Sequence, residues 1–158
     1  MRTRTLITAL LGLATASLAW AGDFRIVRVW PEYRTPDSFL RISEYFTGKE
    51  NPGSQVYLRT HPDQRGGFYF LTRVANNSGA TAGKLELSVI TPRSPRPVTY
   101  TYNAEFPHGE KVYLVGLTGP DWPDAKEHPV AWKISVRSAE GTELASEQSF
   151  LWSKPDKK

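Results

Sequence analysis

Surface chemistry needs side chains that titrate, ligate or attack, and this sequence offers few of them in a workable spacing. It has no cysteine, which removes disulfides, thiolate metal sites, cysteine nucleophiles and an acylated N-terminal cysteine. Its three histidines, His61, His108 and His128, each stand beside Pro or Gly, and none has a second His three or four residues away. His61-Pro62-Asp63 and His108-Gly109-Glu110 each bring one imidazole and one carboxylate, too few ligands for a preformed zinc or iron site. All three read as loop histidines. Asp121-Trp122-Pro123-Asp124, with Glu127 nearby, is the densest acidic cluster. Paired carboxylates serve glycoside hydrolysis or hold calcium, yet this spacing matches no calcium loop, and Gly119, Pro120 and Pro123 mark a rigid turn. An enzyme would need Asp121 and Asp124 to face each other across a groove. No Ser lies in a Gly-x-Ser-x-Gly or Ser-x-x-Lys setting, and Gly66-Gly67 is too short for a phosphate cradle. The expectation is no catalytic residue, no metal ligand and no cofactor.

The positive indications concern binding. Trp20 falls in an N-terminal leader, and the rest of the chain still holds four Trp, seven Tyr and seven Phe. Trp132, Phe68, Phe70 and Phe150 alternate with polar neighbours and are expected inside the fold, whereas Tyr33, Tyr45, Tyr57 and Trp122 are freer to be exposed. Arg28, Arg34, Arg41, Arg59 and Arg65 accumulate in the N-terminal third, and Arg and Tyr are enriched at interfaces. Tyr33, Arg34, Arg59 and Arg65 are the candidate partner-binding residues, although the same positions also suit outward-facing strand sites. A glycan-binding alternative needs Trp122, Tyr100 and Tyr102 to form a flat exposed aromatic strip.

These residues must be held by a fold, and its outline begins at residue 22. Arg2 and Arg4 precede an uncharged run over 6–20, and Ala19-Trp20-Ala21 places small residues where a signal peptidase needs them, which identifies 1–21 as a signal peptide. The run is short against the roughly 20 residues needed to cross hydrocarbon, so no transmembrane segment is expected after cleavage. Loss of the leader leaves 18 basic against 16 acidic residues, and the formal charge falls from +4 to +2. That mixed-sign balance excludes the concentrated basic face of a nucleic-acid binder. The export signal places the protein in the periplasm or at the outer-membrane surface, and an exported domain without cystines points to a bacterium. Asn76-Asn77-Ser78, formally a glycosylation sequon, reads as turn chemistry.

From 22 to 152 the dominant pattern has period two, interrupted by Gly, Pro and Asn clusters. Strands are expected over 23–30, 55–60, 67–75, 84–91, 98–103, 111–118, 130–137 and 143–152, with Pro92, Pro95 and Pro97 breaking one ladder. Both faces of 67–75 read as buried. Alternation fails over 31–51, where Phe39, Ile42, Tyr45 and Phe46 fit a short helix near 38–47, capped by Ser38 and ended by Gly48. The fold class expected is all-β, an antiparallel two-sheet immunoglobulin-like sandwich of about 8 strands in one domain, with a closed barrel as the alternative, followed by a charged tail over 153–158.

Trp30-Pro31-Glu32-Tyr33-Arg34, Ser38-Phe39-Leu40-Arg41-Ile42-Ser43-Glu44-Tyr45-Phe46-Thr47-Gly48 and the strand opening Gly67-Phe68-Tyr69-Phe70-Leu71 together resemble small exported immunoglobulin-like proteins of Verrucomicrobia, associated with pilus-like gene clusters. The resemblance implies an outer-membrane- or pilus-associated protein without catalytic residues, acting through protein-protein contacts with an envelope or pilus-associated partner. No site is carried over from it. The residues after Ala21 lack the long apolar helix of a type IV pilin, so an accessory role is implied and not that of the filament subunit.

Overall fold

The computed structural model describes residues 23–152; the expected signal peptide over 1–21 and the charged tail over 153–158 lie outside them. Eight strands form two four-stranded sheets: β1 (Phe24–Arg34), β2 (Gln55–Arg59), β3 (Gly67–Asn76) and β6 (Gly109–Thr118) in one, β4 (Thr81–Thr91), β5 (Ser94–Phe106), β7 (Ala131–Ser138) and β8 (Glu143–Gln148) in the other. The first sheet runs β1-β3-β6-β2 and the second β5-β4-β7-β8. The expected sandwich is present, with one correction: β2 pairs with β6 in parallel, so the first sheet is mixed. Parallel pairing requires a crossover connection. Here the chain leaves β1 at one edge, passes over the sheet and returns as β2 at the opposite edge.

The main core lies between the sheets. Phe68, Phe70 and Val74 of β3, with Tyr113, Val115 and Leu117 of β6, meet Leu85, Leu87 and Val89 of β4 and Ile134 and Val136 of β7. The ring stack Phe24–Phe106–Tyr113 closes one end of it. The opposite set of side chains on the first sheet, Tyr69, Leu71, Val112 and Leu114, is also covered, by Phe39 from the crossover. That second cluster is why β3 alternates without a wet face.

Three local departures have physical causes. β1 contains a bulge between Ile26 and Arg28. A bulge reverses which parity faces inward, so Phe24, Ile26, Val29 and Tyr33 pack on the core while Arg28 stacks over Trp30 outside, 3.8 Å from the ring centroid. Pro95 and Pro97 fall within β5 rather than ending it, because β5 is an edge strand whose outer backbone needs no donor. Phe150, expected inside, lies beyond the end of β8 and is 82% exposed.

Asn76 shows how turn chemistry becomes structure. Its buried side-chain amide donates to the carbonyls of Gly79 and Phe106 at 3.1 and 2.9 Å, and its Oδ1 accepts the Ser78 amide. The loop joining the two sheets is thereby fixed by one side chain.

Candidate interaction surface

The crossover between β1 and β2 carries the structure's least ordinary surface. It begins as a 3-10 turn, Pro36–Phe39, and continues as α1 (Ile42–Thr47). The expected single helix is therefore two pieces. Leu40 and Arg41 are extended between them, and Ser38 does not cap α1; its hydroxyl donates to Thr35 O inside the 3-10 turn. Gly48 ends α1 as expected, in the left-handed region at φ 65°, with its amide donating to Glu44 O. A helix of six residues over a covered sheet can turn few side chains inward. Phe39 of the 3-10 turn and Glu44 of α1 take the inward positions, and Leu40, Ile42, Tyr45 and Phe46 are left 47, 77, 79 and 85% exposed.

This apolar knob is clamped from below. Arg59 of β2 has a side chain only 4% exposed. Its Nη1 and Nη2 donate to both oxygens of Glu50 at 2.7 Å, and its Nε donates to the Tyr69 hydroxyl at 2.7 Å. Its guanidinium also lies 4.8 Å from the ring centroids of both Phe39 and Tyr57. The Tyr69 hydroxyl itself donates to Arg65 O at 2.5 Å. Arg65 in turn reaches Glu44 of α1 at 2.8 Å and Glu50 at 3.5 Å. Two carboxylates from the crossover are thus tied by two arginines from β2 and the loop after it. The hydrogen bonds from Arg59 hold Glu50 below the usual carboxylate range, and burial raises the Tyr69 phenol.

Each sequence candidate can now be placed. Arg59 and Arg65 come together around Glu50, as cross-links of the clamp. Arg59 is buried and fully bonded, so it is a structural residue instead of an exposed contact. Arg34 pairs with Glu32 through its Nε at 2.6 Å and lies 5.8 Å from the Phe39 ring, on the other flank of the same turn. Tyr33 is half-buried against the main core. Glu44, Glu50, Ile42 and Phe46 were not singled out as site residues. The available signal was four large apolar residues within two turns of a segment too short to bury them all.

The sandwich has a second concavity. On one side β1 lies against β8 and the sheets close; on the other, the free edges of β2 and β5 border an open groove of about 750 Å³ lined by Val56, Tyr57, Leu58 and Tyr102. It continues into a smaller recess where His61 Nε2 stands 3.2 Å from Asp121 Oδ2, and where burial, followed by the Asp121 charge, raises the Tyr100 phenol. The Thr60 hydroxyl, in the same recess, is engaged with Thr118. Asp124 instead accepts the Lys126 amide at 2.9 Å. Among the described residues no group of three or more His, Asp or Glu could hold a metal ion. Trp122 is a further correction: expected at the surface, it is 2% exposed and stacks on Phe68 at 4.8 Å. Tyr102 points across the sandwich to Gly116 O at 3.3 Å. Trp122, Tyr100 and Tyr102 therefore do not form a flat exposed strip.

No family model, no curated protein and no solved structure matches this chain. Among the described residues no helix is long and apolar enough to cross a membrane.

Proposed function

We propose that this chain is an exported, non-catalytic protein of the bacterial cell envelope, outer-membrane- or pilus-associated, that acts through protein-protein contacts made by the α1 knob. The observation that carries the reading is the exposure of Leu40, Ile42, Tyr45 and Phe46 together on a segment that is itself rigidly anchored. Contiguous apolar exposure on a soluble domain marks an interaction site, and an anchored aromatic loses little freedom when a partner covers it. The leader supports export, and the resemblance of the 30–71 stretch supports the envelope placement.

The test is capture from solubilised envelope with residues 22–158 as bait, comparing wild type with the double substitution Tyr45→Ser/Phe46→Ser. Both side chains are solvent-facing, so the two proteins are expected to melt at the same temperature. An envelope protein held by wild type and released by the variant is the expected result; equal retention by both overturns the placement of the contact surface.

A further inference from the structure

Beside the knob lies a pocket of about 340 Å³ lined by Leu40, Glu44, Tyr45, Gly48 and Arg65. Glu44 forms part of its wall with a side chain only 7% exposed. One carboxylate oxygen, Oε2, accepts from Arg65 Nη1 at 2.8 Å. The other, Oε1, is buried and has no hydrogen-bond partner. A buried carboxylate oxygen without a donor is an unfavourable arrangement, and buried polar atoms of this kind are almost always satisfied. The cation paired with Glu44, Arg65, is also drawn to Glu50, and none of the described side chains supplies the missing donor.

We propose that this pocket receives a basic side chain of the partner, a lysine ammonium or arginine guanidinium carried on its alkyl stem. The inference rests on the knob being the contact surface and specifies the chemistry of what it contacts. Arg65 is occupied in holding Glu44 Oε2, and the other four lining residues each have a part. Glu44 attracts the incoming cation, and its Oε1, which solvent does not reach in the unbound protein, accepts a charge-assisted hydrogen bond once the pocket wall yields to the stem. Leu40 and the Tyr45 ring give the methylenes an apolar wall, and the ring face adds attraction for the charge. Gly48, at φ 65° and with nothing within 4 Å of where a Cβ would stand, leaves the mouth open. The fitting partner surface is apolar with one protruding Lys or Arg.

The probe is n-butylammonium, the end of a lysine side chain, titrated into isotope-labelled residues 22–158 while amide shifts are followed by NMR. Saturable shifts at Leu40, Tyr45 and Gly48 are expected with n-butylammonium and not with n-butanol, and Glu44→Gln is expected to weaken them at least tenfold. Gln keeps an oxygen for Arg65, so the clamp is retained; if E44Q nonetheless loses its dispersed spectrum, butylammonium against butanol on wild type decides alone. Equal shifts with butanol, unchanged affinity in E44Q, or no saturable shift each overturn the proposal. If that happens while the Tyr45→Ser/Phe46→Ser variant still releases the captured protein, the contact surface stands and only the partner chemistry falls.

Discussion

Replacing Arg59 by Met tests whether the crossover is held by the clamp. Met preserves most of the stem against Phe39 and Tyr57, so packing changes little and the guanidinium is what disappears. Three hydrogen bonds at 2.7 Å go with it, two of them to an ionised Glu50. Breaking a buried ion pair by removing one partner typically costs about 3–5 kcal/mol. Two features lower the figure here. Glu50 keeps 24% side-chain exposure, so water partly replaces the lost donors, and Tyr69 keeps its bond to Arg65 O. The expected loss is therefore about 2–3 kcal/mol. Urea unfolding of wild type, Arg59→Met, Glu50→Gln and the double variant gives the cycle, with a coupling of at least ~1 kcal/mol expected for residues in one network. If Arg59→Met lies within ~0.5 kcal/mol of wild type, in the range of ordinary surface substitutions, the clamp does not hold the crossover and the rigidity argument for the knob fails.

Four further outcomes follow from the structure. Glu50 has a lowered folded-state pKa, so its contribution is complete above the ordinary carboxylate value near ~4.3 and is lost as pH falls below it; acid titration followed by Tyr69 or Phe39 signals should show the crossover loosening first. Burial raises the phenols of Tyr69 and Tyr113, the latter to about 12, so their contribution is complete below about 10 and declines as pH rises through the folded values, seen as a falling melting temperature in alkali. Gly116→Ala should cost about 1–3 kcal/mol in denaturant unfolding, because a Cβ there overlaps the Tyr69 ring beneath the clamp. Trp122→Phe should cost less than ~1 kcal/mol despite full burial, because the indole N–H it removes is a buried donor without a partner.

The strands were legible wherever period-two alternation faced a single core. Leu85, Leu87 and Val89, and Trp132, Ile134 and Val136, pack as their spacing says. The order and direction of strands were not, because a parallel β2–β6 pair has the same local pattern as an antiparallel one and is decided by the crossover over 35–54, which carries the chain from one edge of the sheet to the other. The bulge after Ile26 was equally silent, and it explains why β1 showed no clean face. At the candidate surface, the arginines and tyrosines of the N-terminal third were visible as a group. Their division into clamp and contact was not, since it depends on Glu44 and Glu50, whose partners lie 21 and 9 residues away. Trp122 and Phe150 exchanged their expected places for a tertiary reason: the turn holding Trp122 folds back over Phe68, whereas β8 stops before Phe150.

The crossover passes over β3 and β6, both of which follow it in the chain. Its inner face, Phe39, rests on Tyr69 and Leu114 from strands that follow it, as well as on Tyr57 and Arg59 of β2. The segment made early must then set late, and β2 finds its place only after a partner some 57 residues downstream is in position. Contacts that form after the rate-limiting step govern how fast a protein comes apart, not how fast it assembles. A clamp that sets after that step would latch the unfolding rate, so Arg59→Met is expected to speed unfolding and leave refolding unchanged in stopped-flow traces.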